Sequence, residues 1–237
     1  MRSATVSAEE VARFDALAAK WWDPNGPMQP LHRMNPARIG WIEERIRRSY
    51  PRTAAPRILD VGCGAGLAAE ALARLGFTVL GLDAAGEAIE AARVHAQGQD
   101  GLALSYRTGV AEDLASEGLR FDVVTALEVV EHVPDPAAFV QVLRTLVEPG
   151  GLLFMSTLNR TTRAWVTAKL GAEYVLRWLP VGTHDYSKFL TPTELAAILR
   201  GAGFRVTATS GLSFDLVRQR WHTGRDLSVN YLVQATA

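Results

Sequence analysis

Apolar positions along this chain change their spacing several times, and each change marks an element. Short apolar runs bounded by turn residues predict strands over Arg57–Val61, Thr78–Leu82, Leu102–Tyr106, Asp122–Leu127 and Leu152–Ser156. Between them, apolar residues recur at helical spacing over Ala68–Leu75, Ala85–His95 and Pro136–Leu146. Such alternation is the pattern of a parallel sheet covered on both faces. The pattern breaks after Asn159, and a different stretch runs from Arg160 to Leu190. "TPTE" at Thr191–Glu194 then has capping-box spacing with proline in the first turn, which predicts a helix to Arg200. Two further β-rich runs, Arg205–Ser210 and Val229–Ala235, bring the expected strands to seven.

Two helices are expected ahead of the first strand. "SAEE" at Ser7–Glu10 also has capping-box spacing and opens a helix through Phe14 and Leu17 to Trp21. After the turn cluster "DPNGP", Asn35 is placed to cap a second helix, with Pro36 in its first turn. The expected organisation is one domain over 1–237, with residues 1–50 as a helical cover and 160–190 as a lid insert.

Composition narrows the function classes. With 237 residues, 48% of them hydrophobic, the chain suits one α/β domain with a sizeable core. Its 25 basic and 25 acidic side chains cancel, which argues against a nucleic-acid binder. Cys63 is the one cysteine, so no intramolecular disulfide forms, and a reducing, cytoplasmic setting fits. The N-terminus lacks a signal peptide's apolar core, and no run reaches the roughly 18 apolar residues of a membrane span. A soluble or peripheral protein is expected.

Candidate chemistry starts at "ILDVGCGAG", where the first strand breaks into Gly62, Gly64 and Gly66. A bare backbone at a strand end permits either a tight turn or close approach of a ligand. The second strand ends at Asp83, beside that turn, where an acid can accept hydrogen bonds from both ribose hydroxyls of an adenosine. "GVAED" places Ala111 near the expected adenine pocket, with Glu112 or Asp113 available to the exocyclic amine or simply solvated. Dinucleotide sites favour G-x-G-x-x-G, so the G-x-G-x-G spacing here argues against a nicotinamide reductase. It is the form found in Rossmann-like S-adenosylmethionine-dependent methyltransferases.

"EVVEH" sets Glu128, Glu131 and His132 at offsets of zero, three and four, which on a helical turn would share one face. Two carboxylates and an imidazole suit a divalent metal. His132 can instead act as a general base, with an ordinary pKa near neutrality. The same motif also shapes the strand–helix junction of metal-free methyltransferases.

Taken together, "LHRMNPARIGWI", "LDVGCGAG", "EVVEHVPDP", "STLNR", "GAEYVLRWLP" and "GTHDYSKF" resemble the ubiquinone-biosynthesis O-methyltransferases from Phe14 to Leu190. The resemblance implies a class I, Rossmann-like α/β fold with a seven-stranded, mostly parallel sheet. It implies S-adenosylmethionine contacts at Arg38, Gly62, Gly64, Asp83 and Leu127, and magnesium at Glu128, Glu131 and His132. It also implies methylation of an aromatic hydroxyl beside a second oxygen, on a ring carrying a polyprenyl tail, in either of two O-methylation steps. A complex with other quinone-pathway enzymes is compatible with it.

Within the insert, Trp165, Leu170, Tyr174 and Trp178 are interspersed with Arg163, Lys169 and Arg177. That mixture suits an interfacial segment, so residues 160–180 are expected to touch membrane lipid, on the inner face of the plasma membrane. The bland alternative is a helical cover over the site. His184 and Asp185 stay unassigned. Another small-molecule acceptor, or a non-catalytic S-adenosylmethionine-binding module, are the other readings.

Overall fold

The structure is a computed structural model that describes residues 6–51, 55–99, 101–165, 186–215 and 217–237. Eight strands form one sheet: β1 (Arg57–Val61), β2 (Thr78–Asp83), β3 (Leu104–Thr108), β4 (Phe121–Leu127), β5 (Val147–Leu158), β6 (Arg205–Asp215), β7 (Arg220–Gly224) and β8 (Asn230–Thr236). Their order is β3-β2-β1-β4-β5-β8-β6-β7. Strands β1 to β5 run parallel, whereas β8 lies antiparallel between β5 and β6. All seven expected strands are present. The eighth, β7, pairs only with β6 and carries an alternation too short to stand out in the sequence.

The central strands are apolar nearly throughout because both faces are covered. Along β1, Ile58 packs with Ile42, Ile46 and Leu72 on one face, and Leu59 packs with Phe139, Leu143 and Leu195 on the other. The same two-residue period divides Val123 from Val124 in β4. Helices α2 (Gln29–Ser49) and α3 (Leu67–Arg74) cover the first face, and α6 (Pro136–Leu146) and α8 (Pro192–Gly201) the second. Helices α1 (Ala8–Asp15), α4 (Gly86–Gln97), α5 (Ala111–Ser116) and α7 (Thr162–Trp165) complete the α-helices among the described residues.

The N-terminal helices depart from expectation in instructive ways. Helix α1 stops at Asp15, and a 3-10 turn over Ala18–Lys20 replaces its second half. Ser7 makes no side-chain cap, and Glu10, which would complete the box, turns to His132 and Lys188. Asn35 does not cap α2 either. That helix begins at Gln29 with Pro30 in its first turn, and Pro36 lies inside it. Asn35 is buried, donating to the Leu67 carbonyl at 2.8 Å and accepting from Arg38 Nε at 2.9 Å. The cover therefore seats on the start of α3, with Ala18, Trp21 and Met28 against Ala65, Leu67, Ala85 and Ala88.

The capping box at α8 forms as expected. Thr191 N donates to Glu194 Oε2 at 2.8 Å, and Glu194 N donates to Thr191 Oγ1 at 3.3 Å. Replacing Thr191 with alanine should cost about 1 kcal/mol. A thermal melt would read this as a midpoint roughly 2–4 °C lower.

Candidate active site

At the carboxyl end of β1 the chain turns through Gly62, Gly64 and Gly66, whose φ values are 69°, 52° and 90°. Leu82 of β2 anchors the turn, its carbonyl accepting from Gly62 N at 2.8 Å and Cys63 N at 3.1 Å. The missing side chains are spaces already in use. A Cβ on Gly62 would sit 2.5 Å from Val129 Cγ2, and one on Gly64 would fall within the Trp21 indole. The bare backbone thus admits Trp21 and Val129 as well as lining a cavity of about 650 Å³. Trp22 tethers the same turn, its Nε1 donating to the Ala65 carbonyl at 3.0 Å.

Asp83 closes this end of the cavity. Its Oδ2 accepts from Gly64 N at 2.7 Å and its Oδ1 from Ala85 N at 2.8 Å. Burial raises its pKa, against the two backbone hydrogen bonds. Both oxygens keep a lone pair for further donors. Ala84, Gly109, Val110 and Ala111 continue the wall, and Leu127, 7% exposed, lies opposite. Asp113 serves its own helix, accepting from Val110 N at 3.1 Å.

Arg38 is not among the residues that face the cavity. It is 3% exposed, and its Nη1 is buried without a hydrogen-bond partner. Burial lowers its pKa, opposed by the charges of Glu128 and Asp60. Asp60 is likewise buried. Its Oδ1 accepts from Thr125 Oγ1 at 2.6 Å, its Oδ2 lacks a partner, and burial pushes its pKa up to about 6. An unpaired guanidinium nitrogen beside the glycine turn is what a cofactor carboxylate would complete, so the residues present fit an amino-acid-bearing adenosine ligand.

The acid–histidine cluster differs from expectation. The segment after β4 is an irregular turn, and Glu128 stands at φ 57°, so the shared helical face does not exist. The Glu128 carboxylate accepts from Ser156 Oγ at 2.6 Å and from Asn230 Nδ2 at 3.1 and 3.2 Å. Glu131 is 4% exposed, and burial, then the Glu128 charge, pushes its pKa up to about 7. His132 turns to Glu10 of α1, with Nδ1 3.3 Å from Oε2. Among the described residues no group of three or more such side chains could hold a metal ion. So arranged, Glu128, Glu131 and His132 do not form a ligand set.

What does assemble is a dyad that sequence reading missed. Glu10 sits 3.3 Å from His132, 3.6 Å from Arg13 and 3.7 Å from Lys188 Nζ, and the Phe14 ring meets the imidazole edge-on at 5.5 Å. Burial opposes the imidazolium, but the adjacent Glu10 carboxylate and the Glu131 charge outweigh it, raising the His132 pKa. The His132 imidazole beside it lowers that of Glu10. If His132 works as a base, its raised pKa cuts activity as pH falls through it. Glu10→Gln should therefore move the acid limb of the pH–rate profile downward. A profile that stays in place would refute the pairing. Asn230, the first residue of β8, is the other missed contributor.

Of the insert, residues 160–165 and 186–190 are described. Trp165 is 38% exposed. Residues 166–185, which include His184, Asp185 and most of the expected lipid-facing segment, lie outside the described residues. Among the described residues, no helix is long and apolar enough to cross a membrane.

Residues 32–209 match a family model described as a methyltransferase domain. Ubiquinone biosynthesis O-methyltransferases of Cereibacter sphaeroides and Azorhizobium caulinodans are 49% and 48% identical to the chain. The first match covers 97% of this chain and 96% of the relative, the second 98% and 94%. Among solved structures, an S-adenosylmethionine-dependent methyltransferase of Thermotoga maritima superposes with a TM-score of 0.64 at 17% identity, over 94% of this chain and 97% of its own. Magnesium protoporphyrin IX methyltransferase of Synechocystis, with bound S-adenosylhomocysteine, gives 0.61 at 22%, over 84% and 81%.

Proposed function

The chain belongs to the ubiquinone biosynthesis O-methyltransferases, S-adenosylmethionine-dependent enzymes, and from that premise we propose that it methylates a hydroxyl of a catechol-type ring bearing a polyprenyl tail, in either O-methylation step of the pathway. One observation carries the assignment of residues: the glycine turn, Asp83 and the Glu10–His132 dyad all face one continuous cavity.

When bound, S-adenosylmethionine would supply an electrophilic methyl group on a sulfonium, transferred in line to the acceptor oxygen as the carbon–sulfur bond breaks and the neutral thioether leaves. Asp83 would accept from the ribose hydroxyls, Gly62 and Gly64 would offer their backbone to the ligand beside Trp21 and Val129, and Leu127 would contact its apolar surface. The buried Arg38 would pair its Nη1 with the carboxylate. A phenol of ordinary pKa about 10 is mostly protonated at neutrality, so its nucleophilicity depends on a base. His132 takes that proton at Nε2 as the carbon–oxygen bond forms, with Nδ1 held by Glu10.

The experiment is transfer of labelled methyl from S-adenosylmethionine to a short-tailed prenyl catechol, run with and without added magnesium. Transfer confined to catechols supports the reading. Indifference to the ring oxygens would mean another acceptor, and tight cofactor binding without turnover on any acceptor would mean a non-catalytic module. Contact of 160–180 with lipid belongs to the same proposal, supported by the exposed Trp165 among basic residues. Co-sedimentation with anionic liposomes should fall when Trp165 becomes serine; unchanged sedimentation would sink the lipid contact.

A further inference from the structure

The cavity that begins at Asp83 of β2 does not end at the dyad. It continues to Trp221 of β7, six strand positions along the sheet order, or roughly 29 Å at the spacing of neighbouring strands. A nucleoside cofactor and one aromatic ring account for the end near β1, β2 and β4. The far end is lined by Leu158, Leu212, Phe214, Trp221 and Val229.

The far wall is built by the β6–β7 hairpin. Phe214 and Trp221 stand directly opposite in the register, their rings 5.6 Å apart, and Leu212 shares their face two residues away. Leu212 is fully buried. Phe214 and Trp221 are only half-buried and, among the described residues, join none of the hydrophobic clusters of the core. Two aromatic side chains paired with one another and turned into a cavity are an unusual use of apolar surface unless a ligand covers them. On the opposite face of β7, Arg220 and His222 are exposed.

We propose that Leu212, Phe214 and Trp221 form the subsite for the ring-proximal isoprene units of the acceptor's tail, so that this hairpin selects prenylated over tailless rings. This rests on the acceptor class proposed above.

The test is calorimetric binding of catechols carrying no, one or three isoprene units to protein loaded with S-adenosylhomocysteine. For the wild type, the three-unit ligand should bind at least about tenfold tighter than the tailless one. In Phe214→Ala/Trp221→Ala that advantage should shrink to about threefold or less. Phe214→Glu, which places a charge on the wall, gives a second route to the same loss, and the S-adenosylhomocysteine affinity of each variant reports that it has folded. Tail dependence absent from the wild type, or retained in both variants, overturns the proposal. Tail-dependent binding that the variants lose, without methyl transfer in the labelling assay, would keep the subsite and sink the proposed reaction instead.

Discussion

Replacing His132 with alanine should lower the rate constant for methyl transfer about 10²–10⁴-fold, the usual contribution of a positioned base. The affinity for S-adenosylmethionine should change little, because the imidazole faces the acceptor end of the cavity and pairs with α1 rather than with the glycine turn. Single-turnover kinetics with saturating cofactor would separate the two effects. Partial recovery at high pH is expected, since an acceptor that ionises without help no longer needs the base. A loss below about fivefold, or one that appears wholly in cofactor affinity, would remove His132 from the chemistry. Glu10→Gln should act more gently, through the pH profile, because it alters the imidazole without deleting it.

Replacing Gly64 with alanine should be nearly as damaging, by a different route. Its φ of 52° is a left-handed conformation that costs an L-residue about 1–2 kcal/mol. The new Cβ would also fall within the Trp21 ring, which is 5% exposed and has little room to retreat. Overpacking of that kind adds about 1–3 kcal/mol. A melting temperature roughly 5–15 °C lower is expected, with cofactor affinity weakened at least about tenfold as Trp21 and the Gly64–Asp83 hydrogen bond shift. Gly76→Ala is the control. Its φ is 88°, but nothing lies within 4 Å of where the Cβ would be, so it carries strain without collision. Equal losses in the two variants would mean that Trp21 yields freely and that the turn is not shaped by it.

These sites differ in how far they could be read from the chain. The bounds of β1 and α6 were legible to the residue, since an apolar run and an amphipathic period are local signals. Gly64 and Asp83 were legible because both sit at strand ends, where a parallel sheet places its ligands. Trp21 against Gly64 was not, as the contact joins a 3-10 turn to a loop more than forty residues away. The Glu10–His132 pair spans still more of the chain, and Glu10 carried a competing local explanation as half of a capping box. "EVVEH" misled for a related reason. Offsets of three and four imply a common face only inside a helix, and a left-handed residue straight after β4 cancels that geometry. The β6–β7 hairpin escaped because "RWHTG" alternates over too few residues to announce a strand.

The placement of β8 has a bearing on how the molecule is made. It is synthesised last among the strands yet lies between β5 and β6, and the hairpin touches the rest of the sheet only through it. During vectorial synthesis on the ribosome, the parallel half can assemble as soon as β5 emerges, but the β5 edge then stays open while roughly seventy residues are added. The tail-selecting wall would thus be the last part of the active site to mature. Nascent chains stalled before Asn230 would expose an adhesive apolar edge for chaperones to shield.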